Sequence, residues 1–178
     1  NQLATVFAEF TPTPQFSSKA VLGGQDRRYV SFNGTSDTVV KNRRGVLDWQ
    51  ATWVANERHK LTGGVTAEAN HTRNTGFGNI NERQQLFAVF VQDQWTPAEH
   101  VYLTAGLRSD DHDTFGRATT GRATAAWLSG DSRWKLRTSY GTAFRSPSFL
   151  DLYGQSAYYV GNPNLKAEKG RGWDAGVD

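Results

Sequence analysis

Histidine offers the widest acid–base and metal chemistry near neutral pH, and this 178-residue chain has four of them. Metalloproteases place two histidines and a glutamate on one helical face in an H-E-x-x-H segment, and no such segment occurs here. A G-x-S-x-G nucleophile elbow and a phosphate-binding P-loop are also missing from the sequence. We therefore expect no catalytic residues and no enzyme. The histidines are spread along the chain at His59, His71, His100 and His112.

A group of aspartates at 110–113 partly matches a calcium-binding loop. Asp111, Asp113 and Gly116 would fill the first, third and sixth places of such a loop, but the twelfth place holds Arg122 instead of a bidentate glutamate. The ordinary interpretation is a solvated loop, with no metal site and no resident cofactor. A looser contact of Asp110, Asp111 and Asp113 with a cation is left open by the sequence.

Composition limits the class of protein. Hydrophobic residues form 37% of the chain and the mean hydropathy is −0.62, whereas each transmembrane helix needs about 20 apolar residues in a row. A helical membrane bundle is therefore excluded, and the absence of cysteine excludes a disulfide framework. The net charge is +3, but the basic residues are scattered singly or in pairs, so we expect no nucleic-acid partner. Asn33-Gly34-Thr35 and Asn70-His71-Thr72 match the glycan-acceptor pattern, which is a common chance match.

Apolar and polar residues alternate over segment after segment, which predicts β-strands with one apolar face. In 61–70, for example, Leu61, Val65 and Ala67 lie on one side and Thr66 and Glu68 on the other. The same alternation occurs in 47–53, 101–108, 133–140 and 173–178.

The connections between these strands alternate along the chain between short polar turns and longer loops rich in Gly, Asn and Asp. In an antiparallel meander every second connection lies on the same rim, so the tight turns share one rim and the long loops share the other. An up-and-down transmembrane β-barrel of the outer-membrane type has this asymmetry. Tight turns are predicted at 56–59, 96–99 and 129–131, and long loops at 24–43, 71–83, 109–118 and 144–170.

The polar side of the strands carries charges in mid-strand, which suit a wet lumen better than a dry core. We expect Arg108, Arg122 and Arg137 to face the lumen, where they could contact a plug or guide anions. The apolar side is often Ala, Gly or Thr, which is too small to fill the core of a soluble sandwich, and is expected to face lipid.

Two residues break this pattern, because Phe90 falls on the lumen side and Asp93 on the lipid side. The facing also predicts that Ala67→Arg hinders membrane insertion, by about 2–4 kcal/mol near the midplane, while Thr66→Arg is mild.

Two motifs in the last third of the chain resemble the β-barrel of TonB-dependent outer-membrane receptors. Residues 139–148 match a strand-ending S-Y-G-x-x-F-R-x-P-S pattern, and 161–168 match G-N-P-x-L-x-P-E, with Ala167 in place of the usual proline. Residues 89–95 and 103–108 are similar to the family's preceding strands, so the resemblance covers at least 84–178.

The resemblance implies a barrel of about 22 strands, closed by an N-terminal plug that carries a TonB box. No plug and no TonB box are recognised in residues 1–178, so we expect them to be a single internal barrel segment of about eight or nine strands. The resemblance also implies a bacterial outer-membrane location, contact with membrane lipid, and coupling to the TonB complex through the missing plug. The expected cargo is a scarce, bulky nutrient or metal chelate, such as a ferric siderophore, haem or a cobalamin.

The long loop at 144–170 is the expected ligand-binding segment, because Arg145, Tyr153, Tyr158 and Tyr159 offer charge and aromatic faces. Scaffold or loop packing is the competing role for each of them. Two other interpretations stay open at this point. One is a complete small outer-membrane barrel that anchors or adheres, and the other is a soluble ligand-binding β-barrel.

Overall fold

The computed structural model describes residues 1–32, 34 and 37–178, so Asn33 and Thr35 of the first acceptor pattern lie outside the described residues. The chain forms β-strands with one short helix between the eighth and ninth strands. The elements are β1 (Gln2–Thr13), β2 (Phe16–Phe32), β3 (Asp37–Val54), β4 (His59–Asn74), β5 (Ile80–Ala98), β6 (Val101–His112), β7 (Gly116–Leu128), β8 (Lys135–Arg145), α1 (Phe149–Tyr153), β9 (Gln155–Ser156), β10 (Tyr159–Val160) and β11 (Glu168–Val177).

Nine of the strands form one antiparallel sheet in the order β1-β2-β3-β4-β5-β6-β7-β8-β11, as predicted for an up-and-down meander. The remaining two, β9 and β10, form a small hairpin of their own inside the β8–β11 connection. Within the described part of the chain the sheet stays open, with β1 and β11 as its edges.

The strands are longer than the sequence predicted. Strands β2 to β5 have 16 to 19 residues, whereas a tilted strand crosses a bilayer with about 9–11. The predicted long loops at 24–43, 71–83 and 109–118 are therefore wrong, because most of each stretch is paired strand. Beyond the bilayer both faces of a sheet meet water, so polar residues there do not indicate a loop.

One long connection remains on that rim, at 146–167, and the tight turns lie together on the opposite rim. The 96–99 prediction is shifted, because β5 runs to Ala98 and the turn is made by Glu99 and His100, the latter at φ 63°.

Cross-strand register joins the apolar sides of the nine strands of the large sheet into one continuous surface, called here the outer face, and their polar sides into the inner face. Leu47, Ala67 and Phe87 lie side by side on the outer face, while Asp48, Thr66 and Ala88 lie side by side on the inner face. Large outer-face side chains are exposed, with Leu47 at 45% and Phe87 at 53%. The buried polar residues Thr66, Gln84, Asp110 and His112 all belong to the inner face.

The apolar band on the outer face has the height of a membrane-spanning strand. On β4 it extends from Leu61 to Ala69, which is nine residues. Trp95 and Trp127 lie at its tight-turn end and are partly exposed, as amphipathic rings at lipid headgroups would be. Among the described residues, no helix is long and apolar enough to cross a membrane.

The structure accounts for the two residues that broke the alternation. The Phe90 ring covers Gly64 on the inner face, where a Cβ would lie 2.7 Å from Phe90 Cε1. On the outer face, Asp93 Oδ2 lies 2.8 Å from Nδ1 of His59, whose ring stacks on Trp95. Each irregular residue therefore has a partner on the neighbouring strand.

The structure argues against the expectation that Thr66→Arg has only a mild effect on membrane insertion. Thr66 is buried and its hydroxyl donates a 2.6 Å hydrogen bond to Asp48 Oδ1, so an arginine there would displace a packed polar pair. Gln50 is an exposed inner-face position on the adjacent strand and makes a better control.

Candidate functional site

The connection from 146 to 167 begins with a compact helical turn that the local sequence specifies. The Ser148 hydroxyl oxygen accepts a hydrogen bond from Asp151 N at 3.2 Å, and Asp151 Oδ2 accepts one from Ser148 N at 2.8 Å. This is a reciprocal capping box, and it starts α1. Hydrogen bonds from the Ser148 side chain, and then from its backbone, hold the pKa of Asp151 below the usual carboxyl value.

The second half of the connection folds back onto α1. Gly161 N donates to Gly154 O at 2.6 Å, and Asn162 N donates to Asp151 O at 2.8 Å. A Cβ on Gly161 would lie 2.8 Å from the carbonyl carbon of Leu152, so only glycine fits this approach. The glycine and asparagine of the 161–168 motif therefore serve to close the loop on its own helix.

The folded connection is held against the sheet. Leu152 is 1% exposed, α1 packs against β5, and the first inner-face residue of β5, Ile80, is also buried. Gln155 N donates to Phe77 O at 3.3 Å, which ties the β9–β10 hairpin to the connection between β4 and β5. The 146–167 segment is thus a packed structure on the rim opposite the tight turns.

The structure places the four predicted ligand residues at different points of this segment. Arg145 ends β8 and pairs in register with Glu168, and Tyr153 ends α1 with a half-buried side chain. Tyr158 is fully exposed at the turn of the β9–β10 hairpin. Tyr159 is 39% exposed, and its hydroxyl donates to Leu150 O at 3.3 Å. Tyr158 and Tyr159 are adjacent on the hairpin, and a Cβ on Gly154, the residue after Tyr153, would lie 3.1 Å from Tyr159 Cε1.

All three predicted lumen arginines lie on the inner face. Arg108 Nε donates to Asp110 Oδ1 at 2.9 Å, and Arg137 Nε donates to Asp178 Oδ2 at 3.0 Å. Arg122 is exposed between two cross-strand glycines, Gly106 and Gly141. Two of the arginines are thus held by carboxylates, and the third projects over small neighbours.

The inner face also carries a polar network that sequence reasoning missed. Arg44 Nη2 lies 2.7 Å from Glu68 Oε2, and Glu68 Oε1 accepts from Asn70 Nδ2 at 2.6 Å. Gln84 is buried, and its Nε2 has no hydrogen-bond partner among the described residues. The Arg44–Glu68 contact could not be found from the sequence, because it depends on the register of β3 and β4. The Glu68–Asn70 contact joins positions two apart on β4, which alternation places on the same face.

The aspartates of 110–113 do not converge. Asp110 faces inward to Arg108, whereas Asp111 faces outward and pairs with Arg117 at 3.3 Å. Asp113 Oδ2 accepts from Gln85 N at 2.8 Å. Among the described residues, no group of three or more His, Cys, Asp or Glu side chains could hold a metal ion.

Comparison with known proteins gives one family over nearly the whole chain. The family model described as TonB dependent receptor-like, beta-barrel matches residues 4–178. The vitamin B12 transporter BtuB of Photobacterium profundum is 27% identical over 158 residues, which cover 89% of this chain and 25% of that protein. The chain therefore spans about a quarter of this relative's length.

Solved structures share the fold at low sequence identity. A mutant of the ferric enterobactin receptor PfeA from Pseudomonas aeruginosa matches with a TM-score of 0.82 and 16% identity, covering 98% of this chain and 32% of that one. The siderophore receptor PirA from Pseudomonas aeruginosa matches with a TM-score of 0.72 and 19% identity, covering 98% of this chain and 41% of that one. The likeness to both shows the architecture of the sheet.

Proposed function

Because this chain belongs to the family of TonB-dependent receptor β-barrels, we propose that it forms part of the wall of a bacterial outer-membrane receptor that imports a scarce, bulky nutrient. The observation that best supports the proposal is that the sheet exposes large apolar side chains on its outer face and buries polar side chains on its inner face, the reverse of a soluble protein. A soluble ligand-binding barrel would place its apolar side chains in the interior, so this arrangement argues against that alternative.

The proposed cargo is a ferric siderophore, haem or a cobalamin. One relative is named a vitamin B12 transporter, and two structural neighbours are named siderophore or ferric enterobactin receptors. Energy would come from the proton-motive force of the inner membrane, delivered by the TonB complex to a plug outside this chain.

The chain's own contribution to cargo capture is proposed to be the 146–167 segment and the end of β8. Tyr158 offers a free aromatic ring at the turn of the β9–β10 hairpin, with Tyr159 beside it. Arg145 and Tyr153 would supply a cation and a second aromatic surface nearer the sheet. An aromatic and cationic rim suits a bulky, partly apolar chelate that carries negative charge.

The inner face is proposed to border the path of the cargo. Arg122 is free to contact a plug or an anionic group, whereas Arg108 and Arg137 are each paired with a carboxylate.

We infer that further strands complete the barrel beside β1 and β11, which are the open edges of the sheet. Unpaired edges of this length would expose many backbone hydrogen-bonding groups, which cannot remain unsatisfied in lipid. A complete small barrel would instead need β1 and β11 to pair with each other.

An uptake assay tests the import function. Cells that produce the complete protein are compared with cells that lack it for accumulation of labelled cyanocobalamin, a ferric siderophore and haem. We expect accumulation of one cargo only when the protein is present, and we expect a proton uncoupler to abolish accumulation while surface binding persists. Accumulation that is unaffected by the uncoupler, or no accumulation of any of the three, would contradict the proposal.

A further inference from the structure

Basic side chains from four strands come together on the outer face, immediately beyond the apolar band. Register places Arg43, His71 and Arg83 side by side, with Asp26 at the end of their row. The next row toward the rim places Arg28, Lys41 and Arg73 side by side. We call the five permanent cations of these rows the basic patch, and its members are Arg28, Lys41, Arg43, Arg73 and Arg83.

The charge of the basic patch is poorly compensated. Arg43 Nε lies 2.8 Å from Asp26 Oδ2, and no carboxylate of the described residues lies within salt-bridge distance of the other four. All five side chains are exposed. Gathering like charges costs free energy unless anions are bound nearby, so this surface is arranged for a negatively charged partner.

The basic patch lies at the depth of lipid headgroups. On β4 the apolar band ends at Ala69, His71 follows two positions later and Arg73 two positions after that. With a rise of about 3.3 Å per residue, both rows fall within roughly 15 Å of the end of the band. A bilayer's polar headgroups occupy the layer directly outside its hydrocarbon core.

Small residues leave room for a ligand beside the first row. A Cβ on Gly24 or on Gly45 would meet nothing within 4 Å, so the surface is open at both positions. A groove of about 610 Å³ runs along these strands, and its lining includes both glycines together with Arg43 and Arg83.

We propose that the basic patch binds the phosphate groups of membrane lipids in the leaflet that borders the 146–167 rim. Arginine pairs with phosphate through parallel N–H···O bonds, and several arginines and a lysine in two adjacent rows can hold more than one phosphate. The patch lies on the side of the wall that faces lipid, whereas cargo and plug meet the inner face. The proposal rests on the membrane location proposed above but not on nutrient import.

Binding of a phosphorylated lipid to the complete protein tests this proposal. The protein is delipidated in a non-ionic detergent and titrated with bis-phosphorylated lipid A or with its dephosphorylated form, and bound lipid is counted by native mass spectrometry. Arg28→Gln removes one cation of the patch, and Arg27→Gln is its matched control, since Arg27 is the adjacent residue on the inner face. A triple variant, R28Q/R73Q/R83Q, removes three patch charges.

We expect the phosphorylated form to bind and the dephosphorylated form to bind far more weakly. Near an anionic surface each arginine contributes enough that R28Q should weaken binding about fivefold and the triple variant on the order of one hundredfold, with R27Q unchanged. If the triple variant does not fold, the comparison of R28Q with R27Q still decides.

Three results would overturn the proposal. They are equal loss in R27Q and R28Q, equal binding of the two lipid forms, and displacement of the lipid by millimolar inorganic phosphate, which would indicate a site for a soluble anion. If the phosphorylated lipid binds as expected but no nutrient is taken up, only the import function is contradicted. If a nutrient is taken up but the lipid does not bind as expected, only the lipid site is contradicted.

Discussion

Gly64 and Phe90 form a complementary pair on the inner face, one supplying the space and the other the ring that fills it. Close packing of this kind tolerates little added volume, since interiors have few voids larger than a water molecule. Gly64 also lies against the carbonyl oxygen of Trp49 on the other neighbouring strand, so the glycine is confined from two sides.

We predict that Gly64→Val destabilises the barrel, because the new side chain meets both the Phe90 ring and the β3 backbone. Overpacking of this kind costs about 1–3 kcal/mol or more. The measurement is denaturant unfolding of the complete protein in lipid or detergent. Gly45→Val, where a Cβ meets nothing within 4 Å, is the matched control and should change stability little. Equal stability of the two variants would show that the ring does not occupy this space.

The fold of the 146–167 segment is held by hydrogen bonds between residues that are close in sequence. Its helix begins at a capping box and its second half is closed by hydrogen bonds to Gly154 and Asp151. The family-like motif therefore has a structural explanation in this chain: it folds the loop on itself and leaves Tyr158 exposed.

Ser148→Ala is predicted to loosen this segment, because it removes the hydroxyl that caps α1, a loss of typically about 1 kcal/mol. Faster amide hydrogen exchange at Asp151 and Leu152 is the expected result. The cap also depends on the charge of Asp151, whose pKa is lowered, so its stabilisation is present above the ordinary carboxyl pKa and is lost as the pH falls through the lowered value. Ser146→Ala, outside the capping box, should leave exchange unchanged, and an equal rise in both variants would contradict the role of the cap.

The strands themselves could be predicted from alternation, but their full lengths could not. The period of two is clear in 61–70, where one face is apolar, and it fades in β2 and β3 beyond Gly24 and Gly45, where both faces are polar. In these parts of β2 and β3 the strand structure depends on hydrogen bonding to the neighbouring strand, which no local sequence pattern indicates. This is why the pattern of residues 24–43 predicts a loop where the structure has paired strands.

At the scale of the whole molecule, register creates surfaces that the linear sequence conceals. Basic residues that are scattered along the chain, such as Lys41, Arg73 and Arg83, become neighbours only when β3, β4 and β5 align. The Arg44–Glu68 pair of the inner face arises in the same way. The placement of Arg108, Arg122 and Arg137 on the polar inner face, by contrast, could be predicted from alternation alone, since it needs only the parity of positions within one strand.

A place for this chain in the wall of an outer-membrane barrel requires that the outer face of the sheet meets hydrocarbon, and spin-label accessibility measures this directly. This chain has no cysteine, so single labels can be introduced at each residue of 61–70 and at Gln50 of the complete protein in vesicles, in a background without other cysteines. We predict an alternation with a period of two, with labels at Leu61, Val65 and Ala67 relaxed by dissolved oxygen and those at Gln50 and Glu68 relaxed by a water-soluble nickel chelate. Equal access of the nickel chelate to both sets of positions, or shielding of Ala67 from oxygen and chelate alike, would contradict it.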